Sequence, residues 1–341
     1  GHHRLFAHFL GSIYPILIGI FEILALLVLI SCVIFLIRRN IVKVKRLSTK
    51  ELGSGWPKSD ANYILIFEIV LMALFLKMNA CDAVLQERGV AHYIQTDAFW
   101  ISQYLKPFFE NFSNETLILF ERTFWWLHII GIFVFMNYLP YSKHLHVILA
   151  FPNSFYARLE LKGKMPNMKE IQNEVLYMMK PELAPANAVI KFGAKDVQDL
   201  SWKNLMDAYS CTECGRCSAA CPAYITGKKL SPRKIMMDTR DRLEEVGKEI
   251  NTNTEWTEDG KTLLHDYITV EELRACTTCN ACVEECPVSI SPLDIILQLR
   301  RNLAMEESNA PQEWNMMFSN IENNMAPRKF SPDERDAWVN G

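Results

Sequence analysis

Two runs of cysteine with the same spacing constrain this chain more than any other feature of its 341 residues. Each run reads C-x2-C-x2-C-x3-C-P, and together they hold eight of the ten cysteines. The runs comprise Cys211, Cys214, Cys217, Cys221 and Pro222, and Cys276, Cys279, Cys282, Cys286 and Pro287. This spacing lets thiolates surround a cubane iron–sulfur cluster. The sequence therefore predicts two [4Fe-4S] clusters and a role in electron transfer.

The fourth cysteine of each run predicts a crossed arrangement of ligands. Three cysteines at three-residue steps can converge on one cluster, whereas the fourth lies too far along the chain and binds the other cluster in two-cluster proteins. Gly215 lets the first loop pass close to inorganic sulfide because it has no side chain. The predicted ligand sets are Cys211, Cys214, Cys217 with Cys286, and Cys276, Cys279, Cys282 with Cys221.

Zinc and disulfides are the alternatives for these cysteines. Zinc sites usually use two separated C-x2-C pairs, whereas here a third and a fourth cysteine follow at fixed steps in both runs. Disulfides require an oxidising compartment, which the predicted membrane topology disfavours. The two remaining cysteines, Cys32 and Cys81, lie in or beside apolar stretches and are expected to be ordinary small hydrophobes.

Three apolar stretches precede the cysteine runs, at about residues 10–37, 62–80 and 116–139, the third extending toward 146. Each is long enough to cross a hydrocarbon layer of about 30 Å. The first is too long for a cleavable signal peptide, and another span follows it. We therefore expect an external segment at 1–9 and a membrane domain at 10–146.

The distribution of lysine and arginine predicts the orientation of these spans. Residues 38–60 carry seven basic side chains, whereas residues 81–115 carry only Arg88 and Lys106. By the positive-inside rule the first loop is cytoplasmic, so the chain after Pro140 lies in the cytoplasm and the protein in the inner membrane. The chain opens on Gly1 without an initiator methionine, and we expect a truncated amino end with upstream membrane helices missing.

The remainder of the chain divides by composition into three parts. Residues 147–190 form a linker, residues 191–306 a helical domain that holds both clusters, and residues 307–341 a polar tail with a possible partner contact. Helix starts are indicated at Ser231-Pro232, at Thr269 with acids in the following turn, and at Pro292. The predicted fold class is mainly α, a transmembrane helix bundle followed by a cytoplasmic α-helical ferredoxin domain.

Two histidines on the third span are candidate haem ligands. His128 and His146 are 18 residues apart, which is five turns of one continuous helix, so both would share a face about 27 Å apart. That distance suits one b-type haem near each membrane surface. Ionisable side chains inside a span are functional candidates. Three alternatives remain open: His146 lies at the interface and binds nothing, Pro140 kinks the helix between the two histidines, or His144 is the ligand in place of His146.

The membrane half resembles a known family. The stretch from His128-Ile-Ile-Gly131 through Leu139-Pro140-Tyr141-Ser142-Lys143-His144-Leu145-His146 resembles the last span of the gamma (di-haem b) membrane subunit of respiratory nitrate reductases. The resemblance implies that His128 and His146 are axial ligands of two b haems. It also implies a second histidine for each haem from an upstream helix, which this chain lacks; His2, His3 and His8 are poor substitutes.

The cysteine-rich half resembles the C subunit of heterodisulfide reductases over about residues 190–325, and both cysteine runs match at every ligand position. Catalytic domains in that family carry a Cys-Cys-Gly signature, and this chain has no Cys-Cys dipeptide. The resemblance therefore implies that a separate protein, resembling the B subunit of heterodisulfide reductases, carries out the substrate chemistry.

These features predict a membrane-bound electron-transfer subunit of an oxidoreductase. It would connect the quinone pool, by way of b haem, to a cytoplasmic redox partner through the two clusters. A haem-free membrane-anchored ferredoxin and a cluster-based redox sensor are the alternatives. The chain offers no catalytic residues of its own, and its net charge of −3 disfavours nucleic acid as a partner. Glu22, Glu68 and Lys77 are weak candidates for a quinone or proton path.

Overall fold

The computed structural model describes residues 7–49, 51–52, 55–96, 99–161, 163–184, 191–253, 256–330 and 332–339. The chain divides into two compact units, Gly1–Ile148 and Leu149–Gly341. Helices dominate both units, and no strand occurs within these ranges. The prediction of a mainly α chain is confirmed.

The first unit is built from three long apolar helices. Its helices are α1 (Ala7–Leu10), α2 (Ile13–Asn40), α3 (Trp56–Glu87) and α4 (Asn114–Tyr138), with a 3-10 segment at Ser102–Phe108 between the last two. Three candidate spans, Ile13–Asn40, Trp56–Glu87 and Asn114–Tyr141, are long and apolar enough to cross a membrane. The predicted three spans are therefore confirmed. Residues 1–6 of the expected external segment lie outside the described residues.

Helix α3 packs against both α2 and α4. Helices α3 and α4 approach each other closely at Gly131, where an added Cβ would lie 2.6 Å from the side chain of Leu71. The absence of a side chain at Gly131 therefore lets these two helices meet. The first span is tied to its neighbours by Glu22, which is fully buried and accepts a hydrogen bond of 2.9 Å from Asn79 on α3.

The third span does not continue as one helix through His146. Helix α4 ends at Tyr138 and is followed by two 3-10 turns, Leu139–Tyr141 and Lys143–Leu145. Ser142, between the turns, is extended at φ −120° and ψ 159°. A new helix, α5 (His146–Phe155), begins only at His146. The expected alignment of His128 and His146 on one helix face is therefore wrong.

The helix ends here because of residues within the segment itself and because of one carboxylate that is distant in sequence. Pro140 has no backbone N–H to continue the helix, and the Ser142 hydroxyl accepts a hydrogen bond from the backbone of His144 instead. Buried Asp60 on α3 accepts a bond of 3.1 Å from the backbone of Lys143. Asp60 also accepts a bond from the hydroxyl of Tyr138. These contacts hold the interrupted segment against α3.

The second unit is a cluster of shorter helices. They are α6 (Lys169–Met179), α7 (Trp202–Ser210), α8 (Arg216–Ala220), α9 (Pro222–Ile225), α10 (Pro232–Asn253), α11 (Val270–Ala275), α12 (Ala281–Glu284), α13 (Pro292–Met305) and α14 (Gln312–Asn324). The expected linker 147–190 contains most of α5 and all of α6, and its residues 185–190 lie outside the described residues. The expected polar tail contains α14, whose Trp314 lies 5.8 Å from the guanidinium of Arg274.

The core of the second unit lies where α7, α11 and α13 pack around α10 and the loop before α11. Its fully buried apolar residues include Leu263, Ile268, Leu273, Ile295 and Leu299. The predicted helix starts are confirmed: α10 begins at Pro232 after Ser231, α11 begins after Thr269, and α13 begins at Pro292. Thr269 and Glu272 form a capping box, which satisfies backbone donors at the start of α11. These helices fix the ends of both cysteine loops.

Candidate iron–sulfur site

The two cysteine loops repeat the same local structure. Each follows the end of a helix, since α7 ends at Ser210 before Cys211 and α11 ends at Ala275 before Cys276. In both loops the residue before the second cysteine has a positive φ, 58° at Glu213 and 57° at Thr278. The backbone amide of Thr278 donates a hydrogen bond of 3.4 Å to the Cys276 sulfur. Amide bonds to sulfur of this kind tune iron–sulfur clusters.

The residue after the second cysteine is also left-handed in both loops. It is Gly215 at φ 75° in the first loop and Asn280 at φ 61° in the second. Glycine and asparagine tolerate this conformation best. Short helices α8 and α12 then carry the third cysteines, Cys217 and Cys282, and they pack against each other. The loops therefore meet at their third cysteines.

The first group of thiols contains a cysteine from the second run. Burial raises the pKa of the Cys217 thiol to about 12. The neighbouring thiols that raise it further are Cys214, Cys282 and Cys286. Burial also raises the pKa of Cys286, and Cys214 contributes to that rise. Burial raises the pKa of Cys211 to about 12, with Cys217 again a neighbour. Cys211, Cys214, Cys217 and Cys286 are thus neighbours.

The second group contains a cysteine from the first run. Burial raises the pKa of the Cys282 thiol to about 12. The neighbouring thiols that raise it further are Cys276, Cys221 and Cys279. The pKa of Cys276 is likewise raised by burial, and Cys221 and Cys279 add to it. The structure therefore brings together the residues of each predicted crossed set, while the assignment of these residues as ligands stays a prediction.

The chemistry of these groups fits iron–sulfur clusters. Each group offers four sulfur donors, which is the ligand set of a cubane cluster. Crowded, buried thiols with raised pKa favour the neutral form, whereas bound metal cations stabilise the thiolate. Among the described residues, no group of three or more His, Cys, Asp or Glu is arranged to hold a single metal ion. A cubane does not need that arrangement, because each thiolate binds a different iron.

The groups differ in their exposure to solvent. Cys211, Cys221 and Cys282 are buried, four others are partly buried, and Cys279 is exposed. The second group therefore has the most accessible thiol. Exposure of this kind affects the reduction potential of an iron–sulfur cluster.

Two arginines that were not singled out from the sequence lie beside the cysteine loops. Arg240 on α10 donates a hydrogen bond of 2.8 Å to Glu213, which is 2% exposed at its side chain. Arg300 on α13 donates 3.0 Å and 2.5 Å bonds to the carbonyls of Leu273 and Cys276. One pattern in the sequence could have identified them, because each arginine lies eight residues after the proline of a Ser-Pro helix start.

A buried polar network holds the loop that carries Cys286. Asn153, which is fully buried, donates a 2.8 Å bond to the carbonyl of Val288. Lys203 donates to Asn153 at 3.0 Å and to Asp207 at 2.5 Å. Asp207 in turn accepts from the backbone of Ser291. The chain on both sides of residues 288–291 is thus fixed relative to α5 and α7.

The two histidines of the third span have similar hydrogen bonds but lie on different elements. The Nδ1 atom of His128 on α4 lies 3.0 Å from the carbonyl of Leu71. The Nδ1 atom of His146, at the start of α5, lies 2.9 Å from the carbonyl of Lys143. A carbonyl only accepts hydrogen bonds, so each Nδ1 carries a proton, and in the neutral ring Nε2 is then the nitrogen with the lone pair. His144 lies next to His146, with ring centroids 5.8 Å apart.

The candidates for a quinone or proton path differ in their surroundings. Glu22 is held by Asn79 and Ser102, and Lys77 is exposed and lines an apolar cavity with Tyr104 and Phe108.

Comparison with known proteins identifies a 4Fe-4S dicluster domain at residues 210–290, a range that contains all eight cysteines. The chain is 29% identical to the probable iron-sulfur-binding oxidoreductase FadF of Bacillus subtilis, over 96% of this chain and 47% of that protein. It is 27% identical to the EtfAB:quinone oxidoreductase of Syntrophomonas wolfei, over 97% of this chain and 46% of that protein.

The cysteine-rich half has a third relative. It is 37% identical to the C subunit of the ferredoxin/F(420)H(2)-dependent CoB-CoM heterodisulfide reductase of Methanosarcina acetivorans, over 30% of this chain and 49% of that protein. The chain spans about half the length of the relatives it matches. No solved structure matches it significantly. The expected resemblance to the C subunit of heterodisulfide reductases is supported, whereas the resemblance to nitrate reductase gamma subunits rests on the residues alone.

Proposed function

We propose that this chain is the membrane-bound electron-transfer part of an iron–sulfur oxidoreductase, connecting a quinone to a redox partner on the cytoplasmic side. The observation that carries the proposal is the combination of three candidate spans with two groups of four neighbouring cysteines. A relay between a membrane carrier and a soluble partner needs a membrane part and a redox-active part, and this chain offers both.

In this proposal each group of cysteines holds one [4Fe-4S] cluster. The first ligand set is Cys211, Cys214, Cys217 and Cys286, and the second is Cys276, Cys279, Cys282 and Cys221. When bound, such clusters supply one-electron transfer over a range of potentials set by charge, hydrogen bonds to sulfur and solvent exposure. The protein holds the thiols together by burial and by the left-handed residues at 213, 215, 278 and 280.

We assign His128 and His146 as the histidines that this chain offers to b haem. Each donates Nδ1–H to a backbone carbonyl, and this bond orients the ring and leaves Nε2 for a metal, an arrangement common among metal-ligating histidines. The interruption at residues 139–145 separates the two rings onto different elements. This interruption favours the second candidate, a haem-free membrane-anchored ferredoxin, in which neither histidine binds haem.

The identity of the partners is proposed from chemistry and similarity. The name of the Syntrophomonas wolfei relative includes quinone, and a quinone is the electron carrier that dissolves in the hydrocarbon layer. The similarity of the cysteine-rich half to the C subunit of a heterodisulfide reductase supports a partner with a Cys-Cys-Gly domain, resembling the B subunit of heterodisulfide reductases. The seven basic residues at 38–60 support a cytoplasmic location for that loop and for the cluster domain, in the inner membrane.

The test is reduction of the iron–sulfur centres by quinol, or of quinone by the reduced centres, in membrane vesicles that contain the full-length protein. We expect electron exchange in at least one direction, and EPR at low temperature measures it. A matched variant, Cys217→Ser, should lose exchange while the protein still inserts. If the reduced protein and quinone exchange no electrons in either direction, the redox-sensor alternative is favoured and the relay is rejected.

An optical spectrum of the same vesicles separates the haem-containing relay from the haem-free anchor. The relay with b haem predicts absorption bands of reduced b-type haem after reduction. A spectrum with iron–sulfur absorption and no haem bands would remove His128 and His146 from the electron path, while leaving the cluster assignment intact.

A further inference from the structure

The two halves of the cluster domain are related by a repeat that extends beyond the cysteines. In each half a helix starts with Ser-Pro after the last cysteine, α10 at Pro232 and α13 at Pro292. Arg240 lies eight residues after Pro232, and Arg300 lies eight residues after Pro292. The two arginines therefore occupy equivalent positions on equivalent helices, each directed to the cysteine loop of its own half.

The loops that these arginines contact differ in sequence at several positions, and one of these differences changes the charge next to the arginine. The residue before the second cysteine is Glu213 in the first loop and Thr278 in the second, and their φ angles are 58° and 57°. The backbone is therefore the same at this position, and only the side chain changes. An acidic side chain is present beside the first group of cysteines and absent at the same place beside the second.

This difference leaves one arginine paired and the other unpaired. Arg240 forms an ion pair of 2.8 Å with Glu213, in which the exposed fractions of the side chains are 14% and 2%. Arg300 donates its hydrogen bonds to the carbonyls of Leu273 and Cys276. Within the part of the chain that the structure describes, no carboxylate lies within ion-pair distance of Arg300. Burial lowers the pKa of Arg300, which reflects its partial removal from water.

We infer that Arg300 is a positioning and tuning residue that raises the reduction potential of the second cluster above that of the first. The inference rests on the proposed function, because it requires both clusters. A cluster becomes more negative when it gains an electron, so a nearby uncompensated cation stabilises the reduced form. The Arg240–Glu213 pair has no net charge, so its two contributions at the first cluster largely cancel. The carbonyl bonds of Arg300 also hold the loop at Cys276.

Other charges near the two groups do not reverse this order. Asp207, which raises the pKa of Cys286, is paired with Lys203, so its contribution at the first group is also partly cancelled. Arg216 in the first loop and Glu284 and Glu285 in the second are exposed to solvent, where water and salt screen their charge. Arg300 is, by contrast, a partly buried cation beside the second group, and the described residues offer it no ion pair.

The test is an EPR-monitored redox titration of the full-length protein in detergent, comparing wild type with single variants of the equivalent positions. Cys279→Ser identifies which signal belongs to the second cluster. Arg300→Gln should lower the reduction potential of that cluster by about 59 mV, which is a tenfold fall in the equilibrium constant for one-electron reduction. The potential of the first cluster should shift far less. Arg300→Lys keeps the charge and should retain most of the potential.

Two further variants test the charge rule without touching Arg300. Thr278→Glu gives the second loop the acidic residue that the first loop has at the equivalent position, Glu213. It should lower the reduction potential of the second cluster, as Arg300→Gln does. Glu213→Gln removes the buried partner of Arg240 and leaves only the exposed carboxylate of Asp241, 3.4 Å away, so it should raise the potential of the first cluster. These variants also decide the question if Arg300→Gln fails to assemble.

The outcomes separate this inference from the proposed function. If the wild-type protein does not contain two clusters, the proposed function fails. If both clusters are present but neither Thr278→Glu nor Glu213→Gln shifts the potential of its own cluster selectively, the tuning role of Arg300 is rejected. Equal shifts of both clusters in every variant would also reject it, because they would indicate a general structural effect.

Discussion

Arg242 and Asp196 form a buried two-point ion pair in the iron–sulfur unit. Nε of Arg242 lies 3.1 Å from one carboxylate oxygen and Nη2 lies 2.7 Å from the other. The arginine side chain is fully buried, and its remaining donors reach Asp259 and the carbonyl of Lys261. Since Asp196 lies before α7 and Asp259 follows α10, one guanidinium joins three separate segments of the fold.

Replacing Arg242 should strongly destabilise this unit. Arg242→Met leaves the carboxylate of Asp196 buried without its partner, and breaking a buried pair in this way costs about 3–5 kcal/mol. The urea midpoint of the purified protein, followed by circular dichroism, measures the loss. Lys229→Gln is the control, because its pair with Glu271 is exposed at both ends and should contribute little. Equal midpoints for the two variants would contradict the structural role of Arg242.

Glu22 should stabilise the membrane unit and take no part in a quinone or proton path. It accepts hydrogen bonds from Asn79 at 2.9 Å, from the backbone of Ile101 at 2.8 Å and from Ser102. Glu22→Ala leaves these buried donors unpaired, at a cost of about 1–3 kcal/mol for each one that finds no other acceptor. We expect a lower thermal midpoint in detergent, with a smaller loss for Glu22→Gln.

Exposed Glu115 offers the matched control for Glu22, since Glu115→Gln removes the same charge from the first turn of α4. Its thermal midpoint should stay near that of the wild type. A Glu22→Gln protein that folds normally but no longer exchanges electrons with quinone would overturn the structural interpretation and assign Glu22 to the path.

The crossed ligand sets predict which cluster each single cysteine variant damages. Cys221→Ser should perturb the EPR signal of the cluster held by Cys276, Cys279 and Cys282, although it lies in the first run. Cys286→Ser should perturb the other cluster. The comparison is made on reduced protein with the two variants prepared side by side. If each variant perturbs the cluster of its own run, the crossed assignment is wrong.

The haem assignment predicts loss of haem in variants of the two assigned histidines and not in a control variant. His128→Ala and His146→Ala should each lower the haem bound per protein, measured as reduced-minus-oxidised absorbance of the full-length protein. His265→Ala serves as the control, because His265 pairs with Glu307 in the iron–sulfur unit. Loss of haem in His144→Ala with full retention in His146→Ala would transfer the second assignment to His144.

Features set by local sequence were predictable. The three spans follow from long apolar runs, and the starts of α10, α11 and α13 follow from capping residues and proline next to the helix start. The grouping of Cys221 with the second run follows from the length of chain that one loop can fold around a cluster. In each case the information lies within one segment of sequence.

Features set by distant contacts were missed. The interruption after Tyr138 depends on Asp60, whose contact with Lys143 joins residues 83 positions apart. Sequence spacing alone therefore gave one helix through His146 where the structure has two turns and a new helix. The role of Glu22 depends on Ser102, 80 positions away. The contrast between Arg240 and Arg300 becomes visible only when the carboxylate of Glu213 is located beside one of them.

The central claim is that the eight cysteines hold two [4Fe-4S] clusters, and metal analysis joined to EPR of the anaerobically reduced full-length protein tests it most directly. We expect about eight iron atoms and as many inorganic sulfides per chain, with EPR signals from two reduced clusters. Zinc with little iron, or the signal of a single cluster with both cysteine runs intact, would contradict it.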